Sequence, residues 1–498
     1  MKKAPLIIFR LASVAVLLAI LLMPSPGAAA GTVGTGTPAS CTEAALDTAL
    51  AGGGTVTFNC GANPYTITLS SQKVISTDTS IDGGNRITLS GGGSTRLFMV
   101  DSGATLSLSK LTLSDGSAGQ GGAIYNSAQV TITNSSLSNN AAPGGVGGAI
   151  YNTGTLTITD STLSGNTAAA GLGGAIHNSG RLMLTRSNLS NNFAGLANGG
   201  LSNSGTAIIT DSSIDGNQAG QVGGIYNGGN LTLTGCDLTH NTTFSGPGGG
   251  VYNSGTLTIS SSRLVDNGAE TGKKGGGIFN DASGVVNIDS STLAGNTVPG
   301  GQGGGIYNSG KLVVTATTFS QNAVSAGLGG ALLNDATGVL TVTNATITEN
   351  FGGLSGGGIL ASGVVTVASS TIYSNTAGGL VNGGSQPFTI QNTILANNSA
   401  GNCNGSITSL GHNLEDSDSC AVTDSGDLRN SDPRLGTLAN NGGPTQTHAL
   451  LPGSPAVDGG DDAGCPATDQ RGVARIGKCD IGAYEFVERI YISLMFRN

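Results

Sequence analysis

Past Met23 the sequence holds no apolar stretch near the ~20 residues a membrane-spanning helix needs, which argues against an integral span in the mature chain. Charge is scarce as well, 10% of 498 residues, and it tilts acidic, with 29 Asp and Glu against 20 Lys and Arg. An acidic surface repels nucleic acid and polyanionic sugars. No CxxC pair and no Cys/His cluster occurs, so nothing has the spacing of a zinc site. EF-hand spacing and the calcium-binding nonapeptide repeat are missing too. Residues 101–400 carry only 12 acidic and 7 basic side chains. Thr, Ser, Asn and Gly must therefore cover most of that surface.

What is present begins with an address. Lys2, Lys3 and Arg10 precede the apolar run Leu11 to Met23, and Ala28-Ala29-Ala30 offers a small-residue cleavage site. Residues 1–30 read as an export signal. Its removal leaves a net charge of −12. All seven cysteines follow it, in an oxidising compartment if export holds. Their spacing suggests Cys41 with Cys60, Cys403 with Cys420 and Cys465 with Cys479, although connectivity does not follow from sequence. Cys236 is left over, at a repeat position held elsewhere by Ser161 and Ser187.

A phrase recurs at 26 residues: Gly121-Gly122-Ala123-Ile124-Tyr125-Asn126, Gly147-Gly148-Ala149-Ile150-Tyr151-Asn152 and Gly173-Gly174-Ala175-Ile176-His177-Asn178. Self-similarity at such a period means a solenoid, whose repeats bury apolar surface only by stacking. In residues 147–166, period-two pairs (Ile150 with Asn152, Leu156 with Ile158) and a later Leu163 mark three short strands per turn. The expected architecture is an all-β, right-handed parallel β-helix, capped at both ends. About eleven coils ~4.8 Å apart would give a rod on the order of 50 Å long.

The column from Ile124 through Ile150 and Ile176 to Ile359 stays aliphatic and belongs inside. The next column tolerates Tyr125, Tyr151, His177, Ser202, Tyr226, Tyr252, Phe279 and Tyr307, as a solvent-facing position does. Asn126, Asn152, Asn178, Asn203, Asn227, Asn253, Asn280, Asn308 and Asn334 share the inward parity and read as a stacked amide ladder. A second Asn column runs from Asn140 through Asn166 and Asn192 to Asn375. The domain organisation expected is a first cap with opening coils at 31–100, repeats at 101–400, a closing cap domain at 401–487 and a tail at 488–498.

Chemistry is harder to find. Asp160 and Asp211 share a column two coils apart, with Arg186 between them, and read as an exposed ion-pair stripe rather than an acid–base array. Asp458, Asp461 and Asp462 form an oxygen-rich loop that could hold calcium, the one cofactor the sequence raises. Gly353-Leu354-Ser355-Gly356-Gly357 matches GxSxG by composition alone, without a strand-to-helix turn. The aromatic column Tyr125, Tyr151, Tyr226, Tyr252, Phe279 and Tyr307 is the feature best suited to meet a sugar ring or a partner. No catalytic residue is assigned.

Two resemblances follow from these motifs. The GGAI phrase with a downstream Leu163-Ser164-Gly165-Asn166, and Phe319-Ser320-Gln321-Asn322 in its fuller form, resembles the GGA[I/L/V] and FxxN repeats of chlamydial polymorphic outer-membrane proteins over about 121–397. It implies a β-helix of the pectin-lyase type displayed outside the cell. Asp432-Pro433-Arg434-Leu435, Asn441 to Leu450, Gly453 to Asp458, Asp469-Gln470-Arg471-Gly472 and Asp480 to Glu485 look like the choice-of-anchor Q domain of bacterial surface proteins. That resemblance implies extracellular display and carries no catalytic residues. The expectation is a secreted or cell-surface bacterial protein, monomeric, acting as a scaffold, adhesin or glycan-contacting rod, with glycans or other surface components as partners. A polysaccharide lyase or glycoside hydrolase with a groove site is the alternative, disfavoured by the sparse charge.

Overall fold

The computed structural model describes residues 31–487. The export signal expected at 1–30 and the tail expected at 488–498 lie outside the described residues. A representative coil contains Ile150–Asn152, Thr155–Thr159 and Thr162–Ser164. Four coils add a two-residue strand, such as Phe193–Ala194. First strands stack into a 14-stranded sheet, and second and third strands share a 29-stranded one. Pairing is parallel and in register: Ile150 lies against Ile124 on one side and Ile176 on the other. Period-two patterning sends Leu156, Ile158 and Leu163 inward, fully buried, while the alternating Thr side chains face out.

The chain is thus a right-handed parallel β-helix of about 14 turns, longer than the eleven expected. The additional turns are coils such as those opening at Lys73–Ile75 and Leu380–Asn382, which lack the GGAI phrase and so escaped the repeat count.

Coils turn where single residues adopt left-handed backbone. Between second and third strands these are Asn134, Asp160, Arg186 and Asp211, at φ 48°, 50°, 44° and 49°. After the third strand they are Asn139, Asn191, His240 and Asp266. Asn and Asp tolerate this conformation, and Gly165 and Gly216 serve at the same corner. Arg186 and His240 are held there by the paired strands on either side.

Inside, polar columns satisfy the turns. Asn152 Nδ2 donates to Asn178 Oδ1 at 2.6 Å and also to the Gly154 and Arg181 carbonyls. In the second column Asn166 Nδ2 donates to Asn192 Oδ1 and to the Leu137 carbonyl, both at 3.0 Å. A third column uses hydroxyls: Ser161 Oγ accepts from Ser135 N and donates to the Thr159 carbonyl. Cys236 takes a place in this hydroxyl column as a buried free thiol. Every Asn-to-Asn bond in the two ladders runs towards the next coil. The second column ends when Asn402 Nδ2 reaches Asp416 Oδ1 at 2.7 Å, a group that only accepts.

Both ends are stapled. Helix α1 (Glu43–Leu50) covers the first coil, with Thr42 Oγ1 accepting from Ala45 N, and Cys41–Cys60 closes the loop around it. Lys73, buried beneath, meets Glu43 at 2.6 Å and Asp47 at 2.7 Å. Cys403–Cys420 ties the last coil. The closing segment does not sit as one plug on the end. Residues 432–487 turn back along the flank of the rod and form a lobe. Leu450, Ala456 and Ile481 pack on Ile394, Ala396 and Leu414. Buried Gln470 bonds Thr346 and Thr318, and His448 Nε2 lies 3.0 Å from Thr348 Oγ1. No helix among the described residues is long and apolar enough to cross a membrane.

Candidate functional site

The outward aromatic column is the first candidate. Its rings stack on one another: Tyr125 to Tyr151 at 5.1 Å, Tyr151 to His177 at 5.4 Å, then, past Ser202, Tyr226 to Tyr252 at 5.4 Å and on through Phe279 to Tyr307. A coil spacing near the thickness of a stacked ring pair makes this stacking the natural arrangement. Arg96 lies over Tyr125 at one end and Lys274 over Tyr307 at the other. Tyr307 is buried rather than solvent-facing, because Lys274 and Asp335 bond its hydroxyl. Burial, then the Asp281 carboxylate, pushes the Tyr252 hydroxyl up to about 12. Ring faces are therefore occupied within the protein, and the column offers edges to a ligand.

Asp160, Arg186 and Asp211 line up on an exposed corner. Arg186 Nε and Nη2 donate to the two Asp160 oxygens at 2.8 and 2.9 Å, which holds that carboxyl below its ordinary range. Arg186 thus pairs with Asp160 alone, and Asp211 takes part in no ion pair among the described residues. In the loop of the calcium candidates Asp458, Asp461 and Asp462, two carboxylates already accept hydrogen bonds from the protein. Asp461 accepts from Gln391 and Ala463, and Asp462 accepts from Cys479 N. Among the described residues no three His, Cys, Asp or Glu side chains are placed to hold a metal ion.

A different face gathers charge and shape together. The third strands present a flank whose outward residues include Ser164, Asn188, Ser213, Asp215, Asp237, Thr239, Arg263 and Val265. Two coils beyond Arg263, Thr318–Ser320 is wholly buried, because the lobe covers the flank from there on. The open stretch ends at that step in a cleft of about 560 Å³. Arg263, Val265, Thr292 and Ala294 form its floor and Leu438, Asn440, Pro444 and Gln446 its wall. Hydroxyls, amides and small apolar patches dominate this lining.

Charge lies immediately beside the cleft. His240 Nδ1 is 2.9 Å from Asp215 Oδ1, and its Nε2 is 3.9 Å from Asp266 Oδ2. Arg263 pairs with Asp237 at 3.4 Å. Burial opposes ionisation of Asp215, but bonds from Thr239 and His240 outweigh it and hold the carboxyl below its ordinary range. This cluster was absent from the sequence reading because its members sit a full coil apart. Aligning the repeats would have placed Gly216, His240 and Asp266 in one corner column, with Asp215 next to it.

A family model described as Right handed beta helix region matches residues 70–264, 149–319 and 200–362, overlapping windows that together span more than half of the chain. No curated protein matches it. Overlap of this kind arises when one coil pattern repeats along a sequence. On the stacked coils and this match, the chain belongs to the right-handed β-helix family.

Proposed function

We propose that the protein is an exported rod at a bacterial surface that binds extended, uncharged glycans along the open flank, without turning them over. The observation that carries this reading is the step cleft. It is the place where a shallow face acquires a wall, and its lining of hydroxyls, amides and small apolar side chains suits sugar hydroxyls and ring carbons. The sequence's leader and the three disulfides support an extracellular setting. The lobe supports the resemblance to a choice-of-anchor Q domain, since its motif residues Thr447, His448, Asp469, Gln470, Asp480 and Glu485 are all buried. Those residues build the lobe and its seat on the rod, leaving its outer surface for attachment.

Ala294→Trp fills the cleft without touching the core. Retention of the full chain on uncharged polysaccharides should fall at least about tenfold in this variant at unchanged melting temperature. Equal retention by both proteins would end the reading. The lyase or hydrolase alternative rests on His240 held between two carboxylates. Release of reducing or unsaturated ends by the wild type, lost in His240→Ala, would establish it in place of the binding rod.

A further inference from the structure

The hairpin of the lobe leaves one strand edge open. Leu435–Ala439 pairs antiparallel with Thr447–Leu450, which sits on the rod through His448. On its other side it pairs with no strand among the described residues. Such an edge presents unpaired N–H and C=O groups and is a template for one more strand. A second cleft of about 560 Å³ opens at its Leu435 end, with Tyr373, Ala396, Leu435 and Leu451 in the lining. Leu451 is 44% exposed there. Asp416 and Asp432 also line it, and neither is in an ion pair among the described residues. Set against Arg434, they leave this lining with a net negative charge.

The opposite end of this strand lies beside the root of the tail. Arg471 donates from Nη2 to the Glu485 carbonyl at 2.6 Å and from Nη1 to the Asn441 carbonyl at 3.3 Å. One guanidinium thus holds Glu485 next to Asn441, just past Ala439. After Val487 the sequence runs Glu488-Arg489-Ile490-Tyr491-Ile492-Ser493-Leu494-Met495-Phe496-Arg497. Ile490, Ile492, Leu494 and Phe496 alternate with Tyr491, Ser493 and Met495, and neither Gly nor Pro interrupts them. Such a run has the period and the residue types of a strand.

We propose that residues 489–497 add to the open edge of Leu435–Ala439 as a third antiparallel strand of the lobe. The tail starts beside Asn441 and runs towards Leu435. From Asn441 to Asp432 is ~30 Å of extended chain, a span that about nine residues cover, from Val487 to Phe496. Ile490 then stands near Leu438 and Ile492 near Gly436. Phe496 reaches the cleft at Tyr373 and Leu451, and Arg497 meets the unpaired carboxylates of Asp432 and Asp416. A parallel strand would first travel the ~17 Å length of Leu435–Ala439 without pairing, and would carry Arg497 away from both carboxylates. Reach, alternation and charge therefore select the antiparallel addition. The contact closes a sheet edge of its own chain and is independent of any glycan on the flank.

Amide exchange on the full chain and on a variant ending at Val487 tests it. Those amides of Leu435–Ala439 that Thr447–Leu450 leaves unbonded should exchange at least about tenfold faster in the truncated chain, with the middle coils equally protected in both. Ile490→Asp with Ile492→Asp, which keeps the tail's length, should match the truncation. Arg497→Glu should quicken the same amides, and adding Asp432→Arg should slow them again. Equal exchange of Leu435–Ala439 in the full and truncated chains would overturn the proposal. So would quickening of Thr447–Leu450 to the same degree, which marks loss of the whole lobe. Protection that vanishes on dilution would also overturn it, by placing the tail on a second copy.

Discussion

At the residue scale the fold rests on side chains that most proteins keep outside. Asn178, Asn203 and their column partners are fully buried, yet each amide finds its neighbour and the turn carbonyls. Changing Asn203 to Leu removes one rung and strands the groups it served, at ~1–3 kcal/mol each. Chemical denaturation should register that loss, and an unchanged midpoint would contradict the ladder's role. Cys236 makes the complementary case. Its neighbours in the column are Ser212 and Ser262, and Ser262 Oγ accepts from Cys236 N at 3.0 Å. Serine would restore a better acceptor at that rung, so Cys236→Ser should be neutral or stabilise by up to ~1 kcal/mol. Oxidant sensitivity of the wild-type thiol should be low, since burial pushes its pKa up.

At the element scale, coils were legible in the sequence, and the seat of the lobe on the rod was not. A coil advertises itself because its partner lies about 26 residues away, so inward and outward positions recur as columns. Ile150 could be placed inside from Ile124 and Ile176 alone. Contacts of the lobe have no period: Gln470 meets Thr346 at a separation of 124 residues, and His448 meets Thr348 at 100. Nothing local in either segment marks the other. The step cleft was hidden for the same reason, since its floor and wall come from segments more than a hundred residues apart.

The seat of the lobe should respond to pH in two opposed ways. Burial holds the pKa of His448 below the ordinary 6.5, so the unfolded chain takes up its proton more readily than the folded one. Its contribution to stability is complete above about 6.5 and declines as pH falls below that value. Asp480 has the opposite sign. Burial raises it to about 6, so its contribution is fullest below its ordinary 3.8 and is lost as pH rises through 6. His448→Gln should therefore leave only the second slope. Amide exchange in residues 445–485, corrected for intrinsic rates, should slow between neutral pH and about pH 5 in the variant. Quickening of the variant to the same degree as the wild type would rule out His448 as the sensor. The disulfides act elsewhere. Replacing Cys41 and Cys60 by Ala reopens a link across 19 residues at the first coil, for a loss of ~3 kcal/mol. Exchange should rise first in residues 31–68, with the middle coils still protected.

At the scale of the whole molecule the rod has distinct faces. One carries a self-stacked aromatic column, and another the lobe and the open flank. Sparse charge makes the cluster at Asp215, His240, Asp237, Arg263 and Asp266 stand out against the Thr, Ser and Asn around it. The proposed function has ligands meet the rod on the flank at the lobe's step. Hydrogen–deuterium exchange on the full chain with a bound uncharged polysaccharide tests this most directly. Protection is expected in Asp237–Thr239, Arg263–Val265, Thr292–Ala294 and the 438–446 loop. Protection confined to the aromatic strands from Ile124–Asn126 to Ile306–Asn308 would contradict it.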